Sequence, residues 1–357
     1  MGAVGNTKGS EMNQTEILLD SRWGTPDEGH DTPTDERRQM LQRLVRRSVL
    51  ILPVNVQKFV EKAYARGADA IELDLEDSVP PTEKAAARAR VRAAVRQCAK
   101  GGADVLVRIN KPYALALQDL DACVWPGLDA VHFPKAESAR EIAALDRRIG
   151  ELEHARGIPV GSVQLSIAIE TALGLHNALS IAVASCRITD IALGPEDYTL
   201  DIGVEPSQEG IELFYGKARM IVVARLAGIQ PLGTLGSIAD YRDLDGWAAS
   251  IRRARQMGSL GAACIHPAQV APLNMHFSPS IAEVAAAKER MIAFEAAQAD
   301  GQASVGVDGK MVDIPVAERA RRILTRVAAI EAKEAKVRAA FAALGETPPR
   351  GALVYVS

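Results

Sequence analysis

The chain has 357 residues, 48% apolar and 24% charged, enough to bury a large core and incompatible with a disordered, collagen-like or coiled-coil reading of the whole. Its 42 basic and 45 acidic side chains leave a net charge of −3, without the basic footprint of a nucleic-acid binder. No run approaches the ~18 apolar residues of a membrane helix, and Cys98, Cys123, Cys186 and Cys264 form no CxxC pair that would signal zinc or a disulfide framework.

Met1 to Leu19 is polar and lacks the apolar stretch of a secretory signal, so a cytoplasmic protein is expected. Residues 1–42 show no sustained periodicity and read as a polar arm, helical near Thr34–Leu44. From Ser48 onward, short β-rich apolar runs alternate with longer stretches of helical spacing. The strands are expected at Ser48–Leu52, Ala70–Leu75, Val105–Ile109, Ala130–Phe133, Val163–Ile169, Asp190–Leu193, Ile229–Leu235 and Ala262–Ile265. Helices are expected near 55–66, 82–98, 137–156, 174–184, 209–227, 243–257 and 281–298. Gly67, Gly157, Gly228 and Gly258 stand just past four of them, where a left-handed cap residue is commonly needed.

Eight strands with crossover helices predict an α/β fold, a TIM (β/α)8 barrel over residues 43–298. A doubly wound open sheet competes, but no GxGxxG follows the first strand. Residues 299–312 read as a Gly- and Asp-containing connector, and a helical run follows from Pro315 to Leu344. The segment 299–357 is therefore expected to be a C-terminal helical extension, either a lid over the barrel mouth or an oligomerisation arm.

In such a barrel the catalytic groups come from the carboxyl ends of the strands. Strand two runs into Asp74-Leu75-Glu76-Asp77, strand three into Arg108-Ile109-Asn110, strand four into Pro134-Lys135, strand five into Glu170-Thr171, and strand six through Gly194-Pro195 into Glu196-Asp197. Glu170 and Asp197 on adjacent strands would offer two oxygens to one Mg²⁺, leaving its other positions to water and substrate. Simpler readings stand beside this one. Glu76 and Asp77 also suit a solvated strand end neutralised by Lys84 and Arg88, Arg108 a structural partner of those acids, and Lys135 a buried ion pair rather than a Schiff-base nucleophile. Glu196 is expected to point away from Asp197, and His266 to be a hydrogen-bonded structural residue.

The words Asp69-Ala70-Ile71-Glu72-Leu73-Asp74-Leu75-Glu76-Asp77-Ser78-Val79, Val107-Arg108-Ile109-Asn110, Pro134-Lys135, Ile169-Glu170-Thr171-Ala172, Gly194-Pro195-Glu196-Asp197-Tyr198 and Ile265-His266-Pro267-Ala268-Gln269 occur in this order. Together they resemble the citrate lyase beta-subunit-like family of the HpcH/HpaI aldolase group, from about Arg47 to Leu344. The resemblance implies a TIM barrel that binds Mg²⁺ and makes or breaks a carbon–carbon bond beside a 2-oxo acid, with a coenzyme A or acyl-carrier thioester as the other partner. It makes Glu170 and Asp197 metal ligands and Arg108 the contact to an enolate or carbonyl oxygen, with Pro195 and Glu196 at the substrate. Glu76, Asp77 and Lys135 would support them from behind. Gly309-Lys310-Met311-Val312-Asp313-Ile314-Pro315 looks like the family segment whose aspartate enters a neighbouring subunit's site, which implies a homotrimer with Asp313 as acid or base.

The sequence departs from the family at three places: Val54 where glycine commonly follows Pro53, Gly233 where strand seven commonly carries aspartate, and Ala262 where lysine often follows Gly261. The expected activity is a Mg²⁺-dependent lyase or aldolase acting on a malyl-, citramalyl- or citryl-CoA-like thioester, in either direction. The alternatives are a class II aldolase of free hydroxy-oxo acids and a non-catalytic carrier-binding subunit.

Overall fold

The computed structural model describes residues 35–207, 209–236 and 241–355, so most of the expected amino-terminal arm, residues 1–34, lies outside the described residues. The described chain opens with α1 (Asp35–Arg43) and then runs β1 (Ser48–Pro53), α2 (Gln57–Ala63), β2 (Ala70–Asp74), α3 (Lys84–Cys98), β3 (Asp104–Arg108), α4 (Tyr113–Cys123) and β4 (Ala130–Phe133). It continues through α5 (Ala139–Ala155), β5 (Gln164–Ile169), α6 (Ala172–His176), α7 (Ala178–Ala182), β6 (Ile188–Leu193), α8 (Pro195–Asp201), α9 (Ile211–Ala227) and β7 (Gln230–Leu232). The last elements are α10 (Leu244–Met257), β8 (Ala262–Cys264), α11 (Val270–His276), α12 (Ile281–Ala299), a hairpin of β9 (Val305–Val307) and β10 (Lys310–Val312), and α13 (Ile314–Leu344).

The eight strands β1 to β8 form one sheet in the order β7-β6-β5-β4-β3-β2-β1-β8, all pairs parallel. Two backbone hydrogen bonds, Leu260 N to Pro231 O at 3.0 Å and Gly233 N to Gly261 O at 2.8 Å, close the seam between β7 and the approach to β8. The expected (β/α)8 barrel with a helical extension is the fold. Gly67, Gly157, Gly228 and Gly258 all have positive φ, between 65° and 119°, as their places after helices required.

The main aliphatic core lies between the strands and the surrounding helices, where β3 contributes Val105 and Val107 and α5 contributes Ile142 and Ile149. The barrel interior is built differently. Val49, Ala70, Leu106 and Ala130 form one small apolar layer. At the amino-terminal end the fully buried Arg46 guanidinium meets Asp104 at 3.3 Å, Asp190 at 3.1 Å and Gln164 Oε1 at 2.7 Å. Gly261 is obligatory there, because a Cβ would stand 1.9 Å from the Arg46 carbonyl oxygen.

Helix α13 packs against this same end. Its Glu334 pairs with Arg47 at 3.0 Å, its Lys333 with Asp104 at 2.6 Å, and its Arg326 donates to the Leu44 and Leu260 carbonyls. The expected lid is thus corrected: α13 closes the floor of its own barrel, opposite the carboxyl ends of the strands. Strand β7 is shorter than expected because Pro231 cannot donate to a ladder and Gly233 turns away at φ 128°. The expected helix at 174–184 is split at Asn177, and α4, α8 and α11 were not foreseen. The connector at 299–312 contains the β9–β10 hairpin, turned at Asp308 and Gly309 with φ of 48° and 71°. Among the described residues no helix is long and apolar enough to cross a membrane.

Candidate active site

A cavity of about 170 Å³ opens among the carboxyl ends of the strands and descends into the barrel. Arg108, Glu170, Pro195, Glu196 and Asp197 all line it, so five residues expected at the substrate or metal share one space. Glu196, expected both to point away from Asp197 and to lie at the substrate, is itself exposed and stands among the lining residues.

Arg108, the last residue of β3, is fixed before any ligand arrives. Its Nε and one terminal nitrogen donate to the two oxygens of Asp74, each at 2.7 Å, and another nitrogen reaches Glu76 Oε2 at 3.1 Å. Burial works against its charge, but the hydrogen bonds and charge of Asp74, with Glu72 and Glu76, raise its pKa further and keep it a cation. Asp74 is the residue that sequence reasoning passed over; it ends β2 two residues before Glu76, both meet Arg108, and that spacing was the available signal. Glu76 holds Arg108 as expected. Asp77 instead turns to Lys135 at 3.2 Å and is more than half exposed. Lys84 and Arg88 do not neutralise Glu76 or Asp77: Lys84 donates to the Leu75 and Glu76 carbonyls and Asn110, and Arg88 pairs with Asp119.

Lys135 stands among the acids. Its ammonium lies 2.6 Å from Glu76, 3.2 Å from Asp77, 3.4 Å from Asp197 and 4.0 Å from Glu170. Its backbone adopts φ 51°, a strained conformation for a lysine, held just past β4 where the side chain can bridge four carboxylates. Burial opposes its charge and Glu76, Glu170 and Asp77 outweigh that, so it stays protonated. The simpler reading anticipated a buried ion pair; Lys135 is an ion-pair partner but only partly buried, at 24% exposure.

Glu170, the residue just past β5, is almost fully buried, and its Oε2 has no hydrogen-bond partner. Its pKa is pushed up to about 7, by burial first; His132 and Lys135 hold it down, and Asp197 and Glu76 push it further up. The Glu170 carboxylate folds against Gly194, where a Cβ would stand 2.6 Å from Oε1. An unpartnered buried oxygen, a neighbouring Asp197 carboxylate and glycine-made room beside them are the donor set and space that a hard cation takes. The residues present therefore fit Mg²⁺.

Lys217, from α9, lines the cavity and was not foreseen. Burial pushes its pKa down to about 8, against Glu212 and Glu196, and it donates to the Thr234 carbonyl. Gly233 and Ala262, two of the noted departures, also line the cavity, and a Cβ at 233 would meet only open space. Val54 is buried in the core. His266 caps the turn at Pro267–Gln269, accepting from Ala268 N, and stacks on Tyr241, the structural role expected of it. Asp313 caps α13 by accepting from Val316 N at 3.2 Å and does not line the cavity of its own chain.

A (β/α)8 barrel with a buried glutamate beside a partly exposed aspartate, a clamped arginine and a bridging lysine at the strand ends defines an enzyme class that manages charge on a small substrate. The chain belongs to the HpcH/HpaI aldolase/citrate lyase family, which it matches over residues 47–267. It is 36% identical over 283 residues to the citrate lyase subunit beta of Haemophilus influenzae, covering 79% of this chain and 97% of that one. It is 32% identical over 293 residues to an L-malyl-CoA/beta-methylmalyl-CoA lyase of Cereibacter sphaeroides, covering 76% and 91%. Among solved structures, the protein CitE of Mycobacterium tuberculosis in complex with magnesium, acetoacetate and coenzyme A aligns with a TM-score of 0.63 at 26% identity, over 80% of this chain and 99% of that one.

Proposed function

We propose that the protein is a Mg²⁺-dependent carbon–carbon lyase that cleaves a 3-hydroxy-acyl thioester into a 2-oxo acid and an acyl thioester, or runs the reverse condensation. The observation that carries this reading is one cavity lined together by buried Glu170, Asp197 and the clamped Arg108. Its relatives include lyases of coenzyme A thioesters by name, and a solved neighbour holds magnesium and coenzyme A.

Glu170 and Asp197 would hold the ion, which when bound supplies a positive centre for the oxygens of the oxo acid. Cleavage needs a base to take the proton from the 3-hydroxyl. The electron pair of the bond between the second and third carbons then becomes the enolate of the acyl thioester, and a proton later returns to that carbon. Arg108, already oriented by Asp74 and Glu76, lies ready for the oxygen where this charge collects, so no reorganisation is needed as the bond breaks. Lys135 keeps Glu76 and Asp77 turned toward the same mouth. Asp313 of one protomer serves as acid or base in the mouth of another; Met311 and Ile314 flank it and are each more than 60% exposed, an apolar patch suited to docking on a second copy.

Replacing Glu170 with Ala should lower metal-dependent release of 2-oxo acid by at least ~100-fold while leaving the fold intact, measured with a panel of thioesters with and without Mg²⁺. Unchanged turnover removes the reading. The charges missing at Gly233 and Ala262 favour testing a second reading, a class II aldolase of free hydroxy-oxo acids, in the same panel.

A further inference from the structure

The interior of a (β/α)8 barrel is ordinarily filled by layers of branched aliphatic side chains. Here the layers beneath Arg108 and Glu170 are thinned on one side to Ala168, Ala192 and Ala263, and on the other side they carry ionisable groups; all of these line the same cavity. Glu72 points inward from β2, two residues below Asp74. His132 points inward from β4, opposite Arg108 in the strand register, and Ser166 from β5 is opposite His132.

The hydrogen bonds among them leave two atoms over. His132 Nδ1 lies 3.2 Å from both Glu72 Oε2 and Ser166 Oγ. The Ser166 hydroxyl donates to Asp190 Oδ1 at 2.5 Å, so toward His132 it can only accept, and Nδ1 carries the proton. Asp190 is in turn held by Arg46 and Thr189. Glu72, 1% exposed, retains Oε1 without a partner, a costly state for a buried carboxylate. No described residue hydrogen-bonds His132 Nε2, and the ring's 15% exposure opens on the cavity, since the ring stands inside the barrel. Burial and the Arg108 charge oppose a charge on His132, but the Glu72 carboxylate 3.2 Å from Nδ1 outweighs them and raises its pKa, which favours the form in which Nε2 donates.

An acceptor and a donor lining one cavity are the complement of a hydroxyl group, which can give one hydrogen bond and take another. An alkyl group would leave Glu72 Oε1 orphaned, and a carboxylate would face it with like charge. Resting on the lyase reading above, we infer that Glu72 and His132 form a subsite for a hydroxyl on the chain of the 2-oxo acid, making hydroxylated 2-oxo acids the substrate class.

Titration calorimetry of the full chain in the presence of Mg²⁺ tests this with paired ligands: pyruvate against 3-hydroxypyruvate, 2-oxobutyrate against 4-hydroxy-2-oxobutyrate, and 2-oxopentanoate against 5-hydroxy-2-oxopentanoate. At least one hydroxylated member should bind more than ~10-fold tighter than its partner, since a site with buried polar groups rejects the analogue that leaves them unpaired. Glu72→Met, and separately His132→Gln, should narrow that ratio to within about threefold. Equal affinities within every pair for the unsubstituted protein overturn the inference while leaving the lyase reading standing, and need no variant to fold. A hydroxyl preference that survives both substitutions overturns the assignment to these residues. If no oxo acid binds in the presence of Mg²⁺, the lyase reading falls and takes the inference with it.

Discussion

The protonation of Glu170 sets what the cavity can hold near neutral pH. A carboxyl that titrates near 7 rather than at its ordinary 4.5 prefers its proton in the folded state, because burial and the charges of Asp197 and Glu76 outweigh His132 and Lys135. A cation needs the ionised form, so Mg²⁺ affinity should fall about tenfold between pH 8 and pH 6, as read by titration calorimetry. In metal-free protein the sign reverses. The folded state binds more protons than the unfolded chain between about 4.5 and about 7, so the contribution of Glu170 to stability shrinks as pH rises through that window. A flat Mg²⁺ affinity across this range would remove the ligand role. Gly194 offers a cleaner probe, because its φ of −77° suits any residue while its missing Cβ makes room for Glu170 Oε1. Gly194→Ala should displace the carboxylate and weaken Mg²⁺ binding by at least ~10-fold, with circular dichroism unchanged.

At the scale of elements, the floor of the barrel is held by charge rather than by apolar packing alone. Glu334 of α13 is fully buried, pairs with Arg47 at 3.0 Å and accepts from the backbone of Val354 and Tyr355. Arg47 also grips Asp69, so removal of Glu334 leaves a buried guanidinium half-answered and two backbone donors unpaired. Glu334→Ala should cost about 3–5 kcal/mol in urea denaturation, well beyond a surface ion pair. A change under about 1 kcal/mol would mean that α13 docks through its apolar face alone.

For the whole molecule, the junction between β10 and α13 is the feature that asks for a second copy. Asp313 stands beside exposed Met311 and Ile314 and away from the cavity of its own chain. Light scattering should give the mass of a trimer or a multiple of it. Inactive Glu170→Ala and Asp313→Ala chains, mixed and reassembled, should recover activity, because some mouths would then pair an intact Glu170 with an intact partner Asp313. No recovery would place the acid or base within one chain.

Much of this molecule could be read from its text. Short β-rich apolar runs separated by crossover-length helical stretches determined eight parallel strands, and the charge following each run determined which residues meet at the mouth. Asp308-Gly309 was a legible hairpin signal that went unused. The sequence could not say that Asp74 rather than Asp77 clamps Arg108, because neighbouring strands set that pairing through their register. Nor could it show that α13 lies at the floor, since a helix carries no record of which end of a barrel its charges will find. Glu72, His132 and Ser166 stand on three strands as far as 94 residues apart, unremarkable one by one. Only closure of the barrel turns them inward onto one cavity, where loss of water makes an unpaired oxygen costly and therefore informative.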